Sequence, residues 1–143
     1  MRAPLLLIAL LFAALLHGQG ITGRWTSIDD ETGKKKSVVE ITERGGRLFG
    51  HVIQLFREPN EEQDPVCKEC DPKDDRYRKK VIGMEIIRNM VLDPGSSPGE
   101  WVDGTILDPK NGSVYDCKLW LEDGKLKVRG YVAFFYRTQT WVR

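Results

Sequence analysis

The sequence is poor in the side chains on which metal sites and nucleophilic enzymes depend. Among its 143 residues there are three cysteines and two histidines, and His17 lies in an N-terminal apolar segment, which leaves His51 for the rest of the chain. Glycine-rich phosphate-binding loops are also lacking, because the glycines lie in predicted hairpins and not in a turn from a strand to a helix. Glu85 falls on the opposite face of its predicted strand from Met84, so no pair of carboxylates is evident. We therefore predict that the protein is not an enzyme and needs no cofactor.

The chain also lacks an excess of charge of either sign. Its 22 basic and 21 acidic residues give a net charge of +1, and the basic run at 34–36 follows the acidic run at 29–31 across a predicted turn. Proteins that bind nucleic acids usually present a basic face that neutralises phosphates. We therefore predict no nucleic-acid partner.

The longest apolar run, residues 5–16, is too short to span a membrane. It has 12 residues, whereas a spanning helix needs about 20. It follows the basic residue Arg2 and precedes small residues that end at Gly20, which is the order found in a secretory signal peptide. We expect residues 1–20 to be removed as a signal peptide and residues 21–143 to form a single domain. The mature protein should be periplasmic or secreted, with no integral membrane segment.

No segment after residue 20 shows a sustained helical period. Instead, runs rich in β-branched and aromatic residues alternate with short turns such as ETGK, RGGR, KNGS and EDGK, which are typical of hairpins. Successive strands joined by short turns predict an all-β fold, an up-and-down antiparallel barrel of about eight strands. An open two-sheet sandwich is the alternative.

Alternation within these strands predicts which side chains face the barrel axis. An eight-stranded barrel is either filled by side chains or just wide enough for one small ligand. The predicted inner face is mainly apolar with few polar groups, as in many ligand pockets. Both a ligand cavity and a packed core remain open at this point. The candidate ligand contacts are Trp25, Phe49, His51, Ile53, Met84, Ile86, Val102, Ile106, Tyr115 and Leu119.

The two ends of the predicted barrel carry a further signal. Gly23 and Trp25 stand at the start of the first strand, and Arg137 and Arg143 lie on the last. This arrangement resembles the lipocalin-like (calycin) pattern, in which Gly-x-Trp opens the barrel and a basic residue near its end covers the indole ring. A cation over an indole face contributes about 0.5–2 kcal/mol. The resemblance implies a structural role for these four residues.

The rest of the chain resembles one family more closely. Together with the Gly-Arg-Trp at 23–25, the similar segments are DDETGKKKSVVEI, VIGMEII, GTILDPKNGSVYDCKLWL and LKVRGYVAFFYRTQTWVR. They are similar to segments of small exported bacterial proteins in a domain-of-unknown-function family, over nearly all of residues 21–143. The resemblance implies a small lipocalin-like barrel outside the cytoplasm, and it supplies no activity.

A long loop, residues 56–79, separates the third and fourth predicted strands and carries Cys67 and Cys70. Acidic neighbours and the lack of a predicted helix argue against a reactive thiolate. Because disulfides persist in exported proteins, we predict a structural disulfide between Cys67 and Cys70. A bond from either residue to Cys117 is one alternative. A zinc site made of Cys67, Cys70, Cys117 and His51 is another.

The sequence alone thus leaves two classes of function. We predict an exported barrel that binds a small apolar or amphipathic ligand. The alternative is a protein–protein interaction or cell-envelope structural module with a filled barrel and no ligand. For that alternative, the predicted surface for a partner or a homodimer consists of the outward-facing Trp101 and Trp120 together with Phe134 and Tyr136.

Overall fold

The computed structural model describes residues 20–96 and 99–143, so the predicted signal peptide lies outside the described residues apart from Gly20. In chain order the strands are β1 (Gly23–Ile28), β2 (Lys35–Arg44), β3 (Arg47–Leu55), β4 (Glu85–Asp93), β5 (Glu100–Leu107), β6 (Val114–Glu122), β7 (Lys125–Val132) and β8 (Phe135–Trp141). Branched and aromatic residues dominate these segments, as packing on a pleated sheet favours. Within the described ranges, no helix is long and apolar enough to cross a membrane.

The strands form one antiparallel sheet in the order of the sequence, from β1 to β8. Short turns join neighbouring strands, except that a long loop lies between β3 and β4. The first and last strands meet at a bridge between Thr26 and Val142, whose backbones exchange hydrogen bonds of 2.6 and 3.0 Å. The sheet therefore nearly closes into a barrel. The predicted fold class is confirmed, and the open sandwich is excluded.

A bulge in β3 changes which of its side chains face the barrel axis. The pairing of β2 with β3 skips Ile53, so two residues of β3 face one residue of β2 at that point. A one-residue bulge reverses the alternation of side chains. Leu55 and Val52 consequently share the inner face although they are three residues apart. The prediction that Phe49, His51 and Ile53 face the axis is therefore wrong.

The alternation of side chains is also reversed on β4 and β5, where regular pairing is interrupted on both strands. Asn89 and Asp103, on these adjacent strands, both adopt positive φ, at 58° and 62°. Alternation reverses there, so Trp101 lies opposite the buried Leu119 and packs against the core. Val102 lies with Asp103 on the outer surface. The predictions that Val102 faces inward and Trp101 outward are both wrong, because strict alternation along a strand assumes that the strand has no bulge.

One end of the barrel is filled by closely packed side chains. Gly104 belongs to this packing, because any side chain there would overlap the sulfur of Met90 and the carbonyl of Arg88. Interiors of this density tolerate little added volume. The largest fully buried side chains at this end are Trp25, Ile41, Leu48, Met90, Leu119 and Leu126.

The loop between β3 and β4 is folded against the barrel. Cys67 and Cys70 are bonded in a disulfide, with their Cα atoms 5.5 Å apart. The amide of Cys67 donates a 2.8 Å hydrogen bond to the carbonyl of Lys79, so the two arms of the loop are paired. The disulfide segment packs on the β5–β6 turn, where any side chain at Gly112 would overlap the carbonyl of Glu69.

Two arginines tie the same loop to the outer side of β4. The buried Arg76 is held by the carboxylate of Asp74, with a 2.8 Å hydrogen bond from Nη2 to Oδ2, and it donates to the carbonyl of Glu85 at 2.9 Å. Arg88 donates to Asp75 at 2.8 Å. The hydrogen bond from Arg76 holds the pKa of Asp74 well below its usual range. The loop is therefore fixed by charge pairs as well as by its docked disulfide.

Candidate ligand cavity

A cavity of about 940 Å³ occupies the end of the barrel opposite the packed core. It opens to solvent where the β1–β2, β5–β6 and β7–β8 turns and the long loop come together. The barrel is therefore packed at one end and hollow at the other.

The wall of the cavity is mainly apolar. Its apolar side chains come from β3 to β8 and include Val52, Ile86, Ile106, Val128, Val132, Phe135 and Trp141. Removing apolar surface from water is favourable by about 25 cal/mol per Å² of area buried. This wall therefore favours a ligand with an apolar body.

The polar groups on the inner wall are bonded to one another. The hydroxyls of Ser27 and Ser37 are 2.6 Å apart on neighbouring strands. The indole Nε1 of Trp141 donates to Oε1 of Gln139 at 3.0 Å. Because these groups are already hydrogen-bonded to each other, a ligand that covers them leaves no unpaired polar group buried in the pocket.

The rim of the opening carries polar and charged side chains. The amide of Asn111 donates to the hydroxyl of Tyr115 at 3.1 Å. Nε of Arg137 donates to Oδ2 of Asp30 at 2.7 Å, and this bond lowers the pKa of Asp30 below its ordinary value. Because Asp30 follows β1 and Arg137 lies on β8, the pair joins the first and last strands at the open end.

Arg143 closes the opposite end of the barrel over Trp25. Its guanidinium carbon lies 4.1 Å from the centre of the indole ring, and Trp25 Nε1 donates to the carbonyl of Ile21 at 2.8 Å. Gly23 has a φ of 111°, which residues with a side chain rarely adopt, and a side chain there would also approach Nη1 of Arg143 to within 3.1 Å. Arg137, in contrast, lies at the open rim.

The ten predicted ligand contacts are distributed over three environments. Those that line the cavity are Ile86, Ile106 and Tyr115. Those buried in the core, outside the lining, are Trp25, Met84 and Leu119. Those on the outer side of the barrel are Phe49, His51, Ile53 and Val102, which the bulges described above place there.

Strands β7 and β8 supply lining residues that the sequence analysis missed. Alternation in the run LKVRGYV already puts its apolar members on one face, and this signal could have identified the β7 contribution. β8 mixes aromatic and polar residues, so its inner face shows no comparable pattern. The missed residues are Val128, Gly130, Val132, Phe135, Gln139 and Trp141.

The four candidate zinc ligands do not come together. Cys67 and Cys70 are bonded to each other, Cys117 is buried inside the barrel, and His51 lies outside it with Nε2 3.3 Å from Glu85. Within residues 20–96 and 99–143, no group of three or more His, Cys, Asp or Glu side chains is placed to hold a metal ion. Burial raises the pKa of the Cys117 thiol to about 12. The zinc site and the longer disulfide are both contradicted.

A hydrolytic arrangement finds no support in the placement of His51. The sequence at 95–99 has the spacing Gly-x-Ser-x-Gly of a nucleophile elbow, but its central Ser97 lies outside the described residues. His51 faces Glu85 on the outside of the barrel, away from the cavity lining.

Comparisons with known proteins agree with this geometry. The family model described as "Uncharacterized protein conserved in bacteria (DUF2147)" matches residues 23–143. One similar solved structure is protein HP1028 from the human pathogen Helicobacter pylori, which is described as belonging to the lipocalin family. It has a TM-score of 0.68 and 16% sequence identity, over 87% of this chain and 82% of that chain. No curated protein matches. At this identity the likeness shows a shared lipocalin-like fold.

Proposed function

This chain belongs to the DUF2147 family of uncharacterized bacterial proteins, and we propose that it is an exported, non-catalytic carrier of a small apolar or amphipathic molecule. The observation that carries the proposal is the cavity of about 940 Å³, closed at one end and open at the other. Pockets for small molecules typically measure about 300–1,000 Å³. The cavity is therefore large enough for one ligand of lipid or metabolite size.

The distribution of polarity supports an amphipathic ligand. The inner wall is apolar and its few polar groups are paired, so it would hold the apolar body of the ligand. The hydroxyl of Tyr115 and the charged rim would contact a polar end group. We propose Ile86, Ile106 and Tyr115 as ligand contacts, together with Val128, Val132 and Gln139.

Two observations support export. Residues 1–20 have the order of basic, apolar and small residues found in a signal peptide. Cys67 and Cys70 form a disulfide, and disulfides persist mainly in oxidising compartments. We therefore place the proposed carrier in the periplasm or outside the cell.

Native mass spectrometry of protein purified from its own bacterial host tests the proposal. We expect a non-covalent adduct of one small molecule per chain, which organic extraction removes and which can then be identified. Extracted protein should rebind an apolar fluorescent probe, anilinonaphthalene sulfonate, in a saturable manner.

A pair of neighbouring substitutions on β5 makes the test specific. Ile106 lines the cavity, so Ile106→Trp should fill part of it and weaken probe binding at least about tenfold, which corresponds to about 1.4 kcal/mol. Thr105 pairs with Asp116 on the outer face, so Thr105→Trp should leave probe binding unchanged. Circular dichroism would verify that both variants fold. Equal binding by both variants, or an empty cavity in host-purified protein, would contradict the carrier function.

A further inference from the structure

The β7–β8 hairpin ends in a group of exposed aromatic side chains. Phe134 is fully exposed, at 103% of its reference area, and Phe135 and Tyr136 are 65% and 57% exposed. Tyr131 pairs with Tyr136 across the two strands, with ring centres 6.1 Å apart. Soluble proteins rarely leave several large apolar side chains together in water unless they form an interaction site.

The same hairpin is basic. Residues 125–143 contain five basic residues and no acidic residue. Lys125 and Arg143 lie at the end of the hairpin away from the tip, and Arg129 and Arg137 lie nearer to it. Lys127 and Arg137 have acidic partners on other parts of the chain. Nε of Arg129 instead donates to the hydroxyl of Thr138 at 2.9 Å, and its guanidinium lies over the rings of Tyr136 and Trp120, at 4.0 and 4.8 Å from their centres. These partners are uncharged, so its charge is not neutralised by a carboxylate among the described residues.

The aromatic tip stands beside the opening of the cavity. Val132 and Phe135 flank the turn and line the cavity, and Arg137 lines it further along β8. A surface that received the tip would therefore also face the opening.

We infer that the tip of the β7–β8 hairpin docks this protein on an anionic phospholipid surface, with Phe134 and Phe135 inserted between the headgroups. At about 3.3 Å per residue, the Tyr131–Tyr136 pair lies roughly 7 Å behind Phe134. Tyrosine side chains concentrate at that level of a membrane, where one end of the ring is apolar and the other wet. Arg129 follows two residues behind Tyr131, where it meets lipid phosphates.

A membrane explains this order of side chains better than a second copy of the chain does. A stable protein–protein interface buries about 1,200–2,000 Å² in total. A narrow hairpin tip of four aromatic rings offers much less flat surface, but its convex shape suits insertion among headgroups. Docking would place the opening at the lipid surface, where an amphipathic ligand enters. This last step rests on the proposed carrier function, whereas docking itself does not.

Sedimentation with lipid vesicles tests the docking surface. The purified protein should partition onto vesicles of three parts phosphatidylcholine to one part phosphatidylglycerol, and more weakly onto phosphatidylcholine alone. The double variant Phe134→Ser/Phe135→Ser should lose at least about tenfold in partitioning, because each ring adds buried apolar area. Arg129→Gln should weaken binding to the anionic vesicles only, and added salt should mimic it. Leu92→Ser, a control at an exposed apolar residue on β4 rather than on the hairpin, should partition as the unmodified protein does.

Three results would overturn docking. Absence of binding to anionic vesicles, or equal binding by the double variant, would overturn it. If sedimentation without vesicles shows a dimer that the double variant abolishes, the occupant is a second copy and the inference is wrong. Binding of anilinonaphthalene sulfonate without vesicles is measured in parallel. If the unmodified protein docks on the vesicles but does not bind the probe, the carrier function alone is refuted. If it binds the probe but does not dock, docking alone is refuted.

Discussion

The guanidinium of Arg143 lies over the indole ring of Trp25, 4.1 Å from its centre, so the last residue of the chain covers the start of the first strand. The contact joins β1 to the end of β8 at the packed end of the barrel, beside the backbone bridge between Thr26 and Val142. It therefore contributes to barrel closure, and its removal should lower stability without altering the cavity.

We predict that Arg143→Ala lowers the free energy of unfolding by about 1 kcal/mol, the usual contribution of an exposed cation on an aromatic face. Arg143→Lys should recover part of that loss. The control is Arg24→Ala, which removes an exposed arginine at the same end whose partner is Glu40. Urea unfolding at pH 7 measures all three variants. Equal losses for Arg143→Ala and Arg24→Ala would show that the stack adds nothing beyond a surface charge pair.

Docking of the disulfide segment on the β5–β6 turn gives a second prediction. Gly112 and Gly124 have nearly the same φ, 75° and 73°, but only at Gly112 would a side chain overlap another segment, at Glu69. Gly124→Ala should cost about 1 kcal/mol, because an L-residue at positive φ is strained. Gly112→Ala should cost at least about 1 kcal/mol more, because the loop must move. Urea unfolding of the two variants measures the difference, and identical losses would mean that the loop is not docked in solution.

The sequence predicted the barrel because its turns and strand residues are local signals, and each hairpin in a meander is itself local. The inner face was harder to predict. Tyr115 lies in a regular strand, and alternation placed it correctly. Phe49 and Val102 lie on strands whose bulges depend on pairing with a neighbouring strand, and no local pattern reports that pairing. The hollow end could not be predicted, because the cavity depends on how the side chains of eight strands pack.

Burial of Cys117 leads to a prediction about thiol chemistry and alkaline stability. With its pKa raised to about 12 from 9.0, the native thiol should carry about a thousandfold less thiolate at pH 8 than an unfolded one, and Ellman's reagent should react correspondingly slowly. As pH rises, the thiol ionises in the unfolded state before it ionises in the folded state, which favours unfolding. Stability is therefore unaffected by this group below pH 9 and falls as pH rises from 9 toward 12. Cys117→Ala should show a smaller loss of stability between those pH values. A fast native reaction would contradict the burial.

Neighbouring aspartates on the long loop give a prediction for acid conditions. The side chain of Asp74 is 15% exposed and pairs with the buried Arg76, whereas that of Asp75 is 71% exposed and pairs with Arg88. Asp74→Asn should lower the free energy of unfolding at pH 7 by about 2 kcal/mol, because Arg76 loses a charged hydrogen-bond partner. Asp75→Asn should have a smaller effect, since solvent screens its pair.

The pH dependence of the Asp74 pair separates charge from shape. The pKa of Asp74 is lowered in the folded state. The contribution of the Asp74–Arg76 pair to stability is therefore complete above the ordinary pKa of 3.8 and is lost as pH falls below it. The difference between the unmodified protein and Asp74→Asn should therefore shrink between pH 5 and pH 2. Urea unfolding across that range measures it, with Asp75→Asn as the control. A difference that stays constant over the range would mean that Asn disturbs the packing of Arg76 rather than its charge pairing.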